Sequence, residues 1–142
     1  MKHFLLSVLT MLLLTLMAPV TAIEKQEAIH FVLQLTRSGE NYGHRRVFLQ
    51  MDKILNDLSD KSIKIEVVAY EDGIQALLSN NKETSQLLTK LANRGVTFKA
   101  CRISMRAWKL KEDDFPLEVD FIPSGAPHMI KRQMEGYKYW RP

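Results

Sequence analysis

What most constrains this chain is a repeating alternation: a short apolar run, then a stretch with helical spacing, four times over before a fifth β-prone segment. Ala28–Leu35 ("AIHFVLQL") is almost continuously apolar between polar flanks, and reads as a strand buried on both faces. "TRSGENYG" follows as a loop. From Tyr42 to Leu58 the residues Val47, Phe48, Met51, Ile54, Leu55 and Leu58 recur as one helical stripe. Ser62–Tyr70 ("SIKIEVVAY") is a second strand, ending in the turn Glu71-Asp72-Gly73, and Ile74–Leu78 supplies one or two helical turns. A helix is expected over Asn80–Asn93, with Asn80 as its cap, Glu83 completing a capping box and Gly95 as a left-handed stop. Val96–Cys101 is the third strand and Ile103–Lys111 the next helix. Val119–Pro123 is a fourth strand. Ser124 then opens a last helix to about Glu135, with Pro127 in its first turn and Gly136 at its end. "YKYW" is the fifth strand. Strands alternating with helices demand right-handed crossovers, so the expected fold is α/β: a three-layer α/β/α sandwich around a five-stranded, mainly parallel sheet.

The chain opens on "MKHFLLSVLTMLLLTLMAPVTA", with a lysine near its start, an apolar run and then small residues. Val20-Thr21-Ala22 fits the pattern of a signal-peptidase site, so residues 1–22 are expected to be a signal peptide and residues 23–142 a single domain. The apolar run Phe4–Ala18 is 15 residues long, short of the roughly 20 that a membrane span needs. The expected location is therefore periplasmic or secreted, with no membrane partner after cleavage. Residues 23–142 hold all 16 acidic side chains and 19 of the 20 Lys and Arg, a balance of +3. That excess is too small to imply nucleic acid. With one cysteine, no intramolecular disulfide exists, so the fold stands on its core.

That cysteine, Cys101, ends the third strand in "GVTFKACRISMRAW". Open parallel sheets place ligands beyond the carboxyl ends of their strands. The helix expected after Cys101 would aim backbone N–H groups at its sulfur, and Arg102 and Arg106 add positive charge nearby. Both effects favour thiolate over thiol, and a thiolate is a nucleophile at neutral pH. The competing reading is a small buried hydrophobe, a common fate of free cysteine.

Several segments, in order, carry a resemblance: "GVTFKAC" with the helix after it, "KILNDL", "IKIEVVAYEDGIQAL", and "VDFIPSGAPHMIKRQMEGYKYWRP", with Asn56 as a weaker match. Together they resemble the DsrE/DsrF-like proteins, the YchN-like fold, over essentially the whole chain after the leader. The resemblance implies an α/β/α sandwich with a five-stranded parallel sheet, often assembled as a trimer or hexamer. It also implies a persulfide carried on Cys101 and passed between a sulfur donor and an acceptor protein, neither identified here. It calls for no cofactor. The chain departs from the family at the second strand's end, where Tyr70-Glu71-Asp72-Gly73 stands in place of a His-Gly pair, and in its charged "RISMRAWKLKEDDF" segment. A lone cysteine suits a carrier, since a second thiol nearby would release the sulfur by forming a disulfide.

Other residues offer alternatives. His44 or Tyr42, near the first strand's end, could approach Cys101 as a base, although a solvated surface histidine is the simpler reading of His44. His30 reads as a packed strand residue, and His128 with Ser124 lines the fourth strand's edge. Cys101, His44 and His128 carry no known metal-ligand spacing, so no metal is expected. "TRSGENYG" lacks the dinucleotide pattern. Glu112-Asp113-Asp114 reads as a solvated turn. Trp108, Tyr137, Tyr139 and Trp140 read as core or subunit contacts, and an aromatic edge strand suggests an oligomer seam. The non-catalytic alternative is an oligomeric interaction protein in which Cys101 is incidental.

Overall fold

A computed structural model describes residues 27–142. The leader and its expected cleavage site lie outside the described residues, as do the side chains of Asn41 and Tyr42. Among the described residues five strands form one sheet: β1 (Ile29–Leu35), β2 (Ile63–Ala69), β3 (Thr97–Cys101), β4 (Val119–Ile122) and β5 (Lys138–Trp140). Every pairing is parallel and the order is β4-β3-β2-β1-β5. The helices are α1 (Gly39–Tyr42), α2 (His44–Asp57), α3 (Ser85–Asn93), α4 (Arg102–Ala107) and α5 (Gly125–Met134), with 3-10 segments at Glu71–Leu77 and Glu112–Asp114.

The strand order dictates the layers. Three crossovers run one way, from β1 out to β4, and the last returns past β1 to β5. Right-handed crossovers put helices before and after such a reversal on opposite faces. One face carries α2 and α3 over the larger core, which includes Leu33, Phe48, Met51, Val67, Leu88, Leu91 and Phe98. The rings of Phe48 and Phe98 stack there with centroids 5.7 Å apart. Among the described residues the other face carries only α5, over Val32, Val68, Ile122 and Met129. The architecture is the expected α/β/α sandwich, with a sheet that is parallel throughout. Its switch point falls between β1 and β5, where ligands are favoured in such sheets. Here Arg141 and Pro142 close over Leu35 and Thr36, leaving a gap of about 10 Å³.

The helix ends show which sequence signals held. Gly95 and Gly136 both take φ +89°. Each follows its helix with the paired bonds of a Schellman stop: Gly95 N–H to Ala92 and Val96 N–H to Leu91, then Gly136 N–H to Gln133 and Tyr137 N–H to Arg132. A third stop has the same bonds, Lys109 N–H to Arg106 and Leu110 N–H to Met105, but carries a lysine at φ +53°. The helix expected over Ile103–Lys111 is therefore shorter, Arg102–Ala107, ended by a left-handed stop that no glycine marks in the sequence. Left-handed backbone costs an L-residue about 1–2 kcal/mol. Lys109→Gly is thus expected to raise stability by about 1 kcal/mol in urea titration; a loss would show that Lys109 is held by something other than this turn.

The Asn80–Asn93 helix also begins late, at Ser85. Its polar start is used elsewhere. Asn81 accepts from the Glu83 N–H and donates to the Gln75 carbonyl, and the Thr84 hydroxyl donates to the Ala76 carbonyl at 2.7 Å. These bonds tie the segment down on the preceding 3-10 turn, so no capping box forms at Asn80. The "TRSGENYG" segment, expected as loop, contains the single turn α1.

Candidate functional site

Cys101 is the last residue of β3 and the N-cap of α4, with φ −78° and ψ 119°. It is 3% exposed. It pairs with Ile122 of β4, and the neighbouring pair Ala69–Ala100 brings Tyr70 into register beside it. Alternation along the strands puts Cys101, Tyr70 and Ile122 on the face that α5 covers. Tyr70 is the residue that the sequence reading missed. Its ring packs closely against Gly125 at the start of α5, where an added Cβ would sit 2.5 Å from ring carbons. Its hydroxyl accepts from the Gln34 amide, and the Gln34 amide oxygen accepts from the Tyr139 hydroxyl. A bonded chain thus links β2, β1 and β5 at the carboxyl edge. Burial pushes the Tyr70 hydroxyl up from its ordinary value, against the Gln34 bond that lowers it. The available signal was parity: Tyr70 shares its sheet face with Glu66 and Val68.

The structure disperses the other candidates. Arg102 pairs with Glu112 at 2.6 Å, and its guanidinium lies 5.2 Å from the Phe121 ring centroid. Phe121 packs toward the larger core, on the face opposite Cys101. Arg106 is exposed and lines a groove with Arg102, Met105 and Lys111. His44 corrects the expectation of a solvated side chain, since it is 5% exposed. Its Nε2 donates to the Arg37 carbonyl at 2.9 Å, because a carbonyl can only accept. Gly39 packs against the same ring, with an added Cβ 3.2 Å from Nδ1. His44 also borders an open polar groove of about 760 Å³ with Glu40, Asp72, Gln75, Glu83 and Trp108. Trp108, read as core or subunit contact, is 45% exposed at that rim.

His128 and His30 lie on the α5 face. His128 Nε2 donates to Glu66 at 2.8 Å, while Arg132 grips the same carboxylate through Nε at 2.8 Å and Nη2 at 3.0 Å. Arg132 also bonds Glu135 and stacks over Tyr137, whose ring meets that of His30 at 4.9 Å. Burial pushes the Glu66 carboxyl up, but the bonds and charges of Arg132 and His128 outweigh it and hold the group below the usual glutamate range. This cluster fastens α5 to β2. Cys101, His44 and His128 therefore do not converge. Among the described residues no three His, Cys, Asp or Glu side chains are placed to hold a metal. Nor is any described helix long and apolar enough to cross a membrane.

The three-layer sandwich on a parallel five-stranded sheet is a fold that solved structures share. MTH1491 of Methanobacterium thermoautotrophicum, described as a protein of unknown function, is similar at 33% identity and TM-score 0.65, over 81% of this chain and 98% of its own. The YchN protein of E. coli shares the fold at 15% identity and TM-score 0.60, over 80% of this chain and 99% of its own. The DsrE/DsrF-like family model matches residues 29–141, and the chain belongs to that family. No curated protein matches it.

Proposed function

We propose that this protein is an exported sulfur carrier or thiol-redox protein acting through Cys101. Its family is generally linked to sulfur relay. The observation that carries the reading is the position of Cys101 at the carboxyl end of β3, at the N-cap of α4. The transfer balances without an added oxidant. The Cys101 thiolate attacks the outer sulfur of a donor persulfide, a new S–S bond forms at Sγ, and the donor leaves as a thiolate. An acceptor thiolate then takes the same sulfur and returns Cys101 to thiolate. With 3% exposure, the cover over Cys101 must shift for either step. Arg102 is paired to Glu112 and Arg106 lines a separate groove, so the reading rests on Cys101 and its place at the strand end rather than on either arginine.

Intact mass of protein purified without reductant is the direct test. A gain of one sulfur that thiols remove, mapped to Cys101, is the expected result. In parallel, iodoacetamide is expected to alkylate Cys101 in the native protein at neutral pH. Reaction only after denaturation would overturn the reading. Export is tested by fractionation and N-terminal sequencing, with Ile23 as the expected first residue.

A second reading is an oligomeric interaction protein, and the thinly covered sheet face favours it. Ile130 and Met134 of α5 and Tyr139 of β5 are exposed on that side. We propose self-association as a trimer or hexamer, to be measured by light scattering. A Cys101→Ser protein that assembles normally and fully complements a deletion would select this reading over sulfur transfer.

A further inference from the structure

One groove is used by neither reading. It lies beside the β4 edge and is lined by Arg102, Met105, Arg106, Leu110, Lys111 and Glu112, with a volume of about 300 Å³. Its floor is apolar: Met105 is 5% exposed and Leu110 half-buried. Its rim carries three cations and one carboxylate. Glu112 is taken by Arg102, which also stacks on Phe121. Among the described residues, neither Arg106 nor Lys111 has a carboxylate within ion-pair distance. Arg102 and Arg106 stand four apart on α4, a spacing at which like charges repel. The C-terminal helix dipole accounts for Arg106 alone, and not for Arg102 in the first turn or Lys111 beyond the end.

The frame holding these groups is fixed by backbone bonds. The stop at Lys109 returns Leu110 to α4 through its N–H bond to the Met105 carbonyl, at 2.8 Å. The Lys111 N–H is held by the Asp114 carboxylate at 2.7 Å. Arg106 and Lys111 therefore border an apolar floor that backbone bonds already hold in place, and pre-formed, mostly apolar concavities with a few charges are where small ligands bind. Cys101 is on the other side of the sheet, so the groove stands or falls independently of sulfur transfer.

We propose that the groove binds a small organic anion, with a sulfonate, sulfate or carboxylate head between Arg106 and Lys111 and an apolar body on Met105 and Leu110. Arg102, held by Glu112, contributes field rather than a direct bond. The test is an amide-shift titration of the full chain with hexanesulfonate, inorganic sulfate and hexyltrimethylammonium. Hexanesulfonate is expected to move the amides of residues 102–112 saturably. Removing two exposed charge contacts should weaken it about tenfold in Arg106→Gln/Lys111→Gln. Lys82→Gln/Lys138→Gln, which removes equal charge elsewhere, should leave the affinity unchanged. Inorganic sulfate should bind more weakly and the cationic amphiphile not at all. Equal binding by the cationic amphiphile, equal affinity in the first double variant, or shifts centred outside residues 102–112 would each overturn the proposal.

Discussion

Glu66→Ala is expected to destabilise the protein by about 3–5 kcal/mol, the loss typical when one partner of a buried ion cluster is removed. Glu66 is 5% exposed in the middle of the sheet. Three bonds from His128 and Arg132 converge on its carboxylate. Without it, His128 and the Nε and Nη2 of Arg132 lose their shared acceptor beside Val32 and Val68, and α5 loses its polar anchor. Arg132 retains Glu135 and Tyr137, so the loss concentrates on the joint between α5 and β2. The pH dependence has a definite sign. The folded carboxyl is held below its ordinary value, so its contribution is complete above the unfolded value, about 4.3, and fades as pH falls through the lower folded value. Urea midpoints measured from pH 6 downward should therefore drop in the wild type below about pH 4.3. They should drop less steeply in Glu66→Gln. A Glu66→Ala protein within 1 kcal/mol of wild type would mean that α5 is held by apolar contact alone.

Gly73→Ala is the second large effect. The 3-10 segment after β2 crosses the end of β1 so closely that a Cβ on Gly73 would lie 2.1 Å from the Leu35 carbonyl oxygen and 2.4 Å from its carbon. Both are backbone atoms and cannot swing aside. The Gly73 N–H also bonds the Thr36 carbonyl, and the Tyr70 N–H bonds Leu35, so the two chain ends are pinned together. The expected loss is about 3 kcal/mol or more, visible as a lowered thermal midpoint or insoluble expression. Gly43, with open space around its Cβ position, is the contrast: Gly43→Ala should show only the strain of its φ of +69°, about 1–2 kcal/mol. Equal losses at the two sites would remove the steric explanation.

Glycine was legible in part for a physical reason. Gly95 and Gly136 follow helical stripes, and the stop they make is local, so spacing alone reveals them. Gly73 matters through a strand nearly forty residues earlier in sequence, and nothing in "YEDG" shows that approach. Lys109 makes the same stop as the glycines with the wrong residue, which is why the helix after Cys101 was read as too long. Asn81 and Thr84 carry cap-type side chains that tertiary neighbours claim instead. His44 was misjudged because its ring is buried by a loop that folds back on it, through Arg37 and Gly39.

The sequence by itself determined the layers of this protein and the place of its thiol. Apolar period and chain order are local properties, and right-handed crossovers convert them into a parallel sheet with Cys101 at a strand's carboxyl end. Only the tertiary structure decided what surrounds that thiol. The register of β2, β3 and β4 brings Tyr70 and Ile122 alongside Cys101, and reversal of the chain after β4 lays α5 on that face and gathers Glu66, His128 and Arg132 into a buried cluster. It also turns Arg102 toward Glu112 and Phe121, away from the sulfur it follows in sequence. Cys101 ends a strand and Arg102 begins a helix, so adjacency in sequence could not settle which charges meet Cys101.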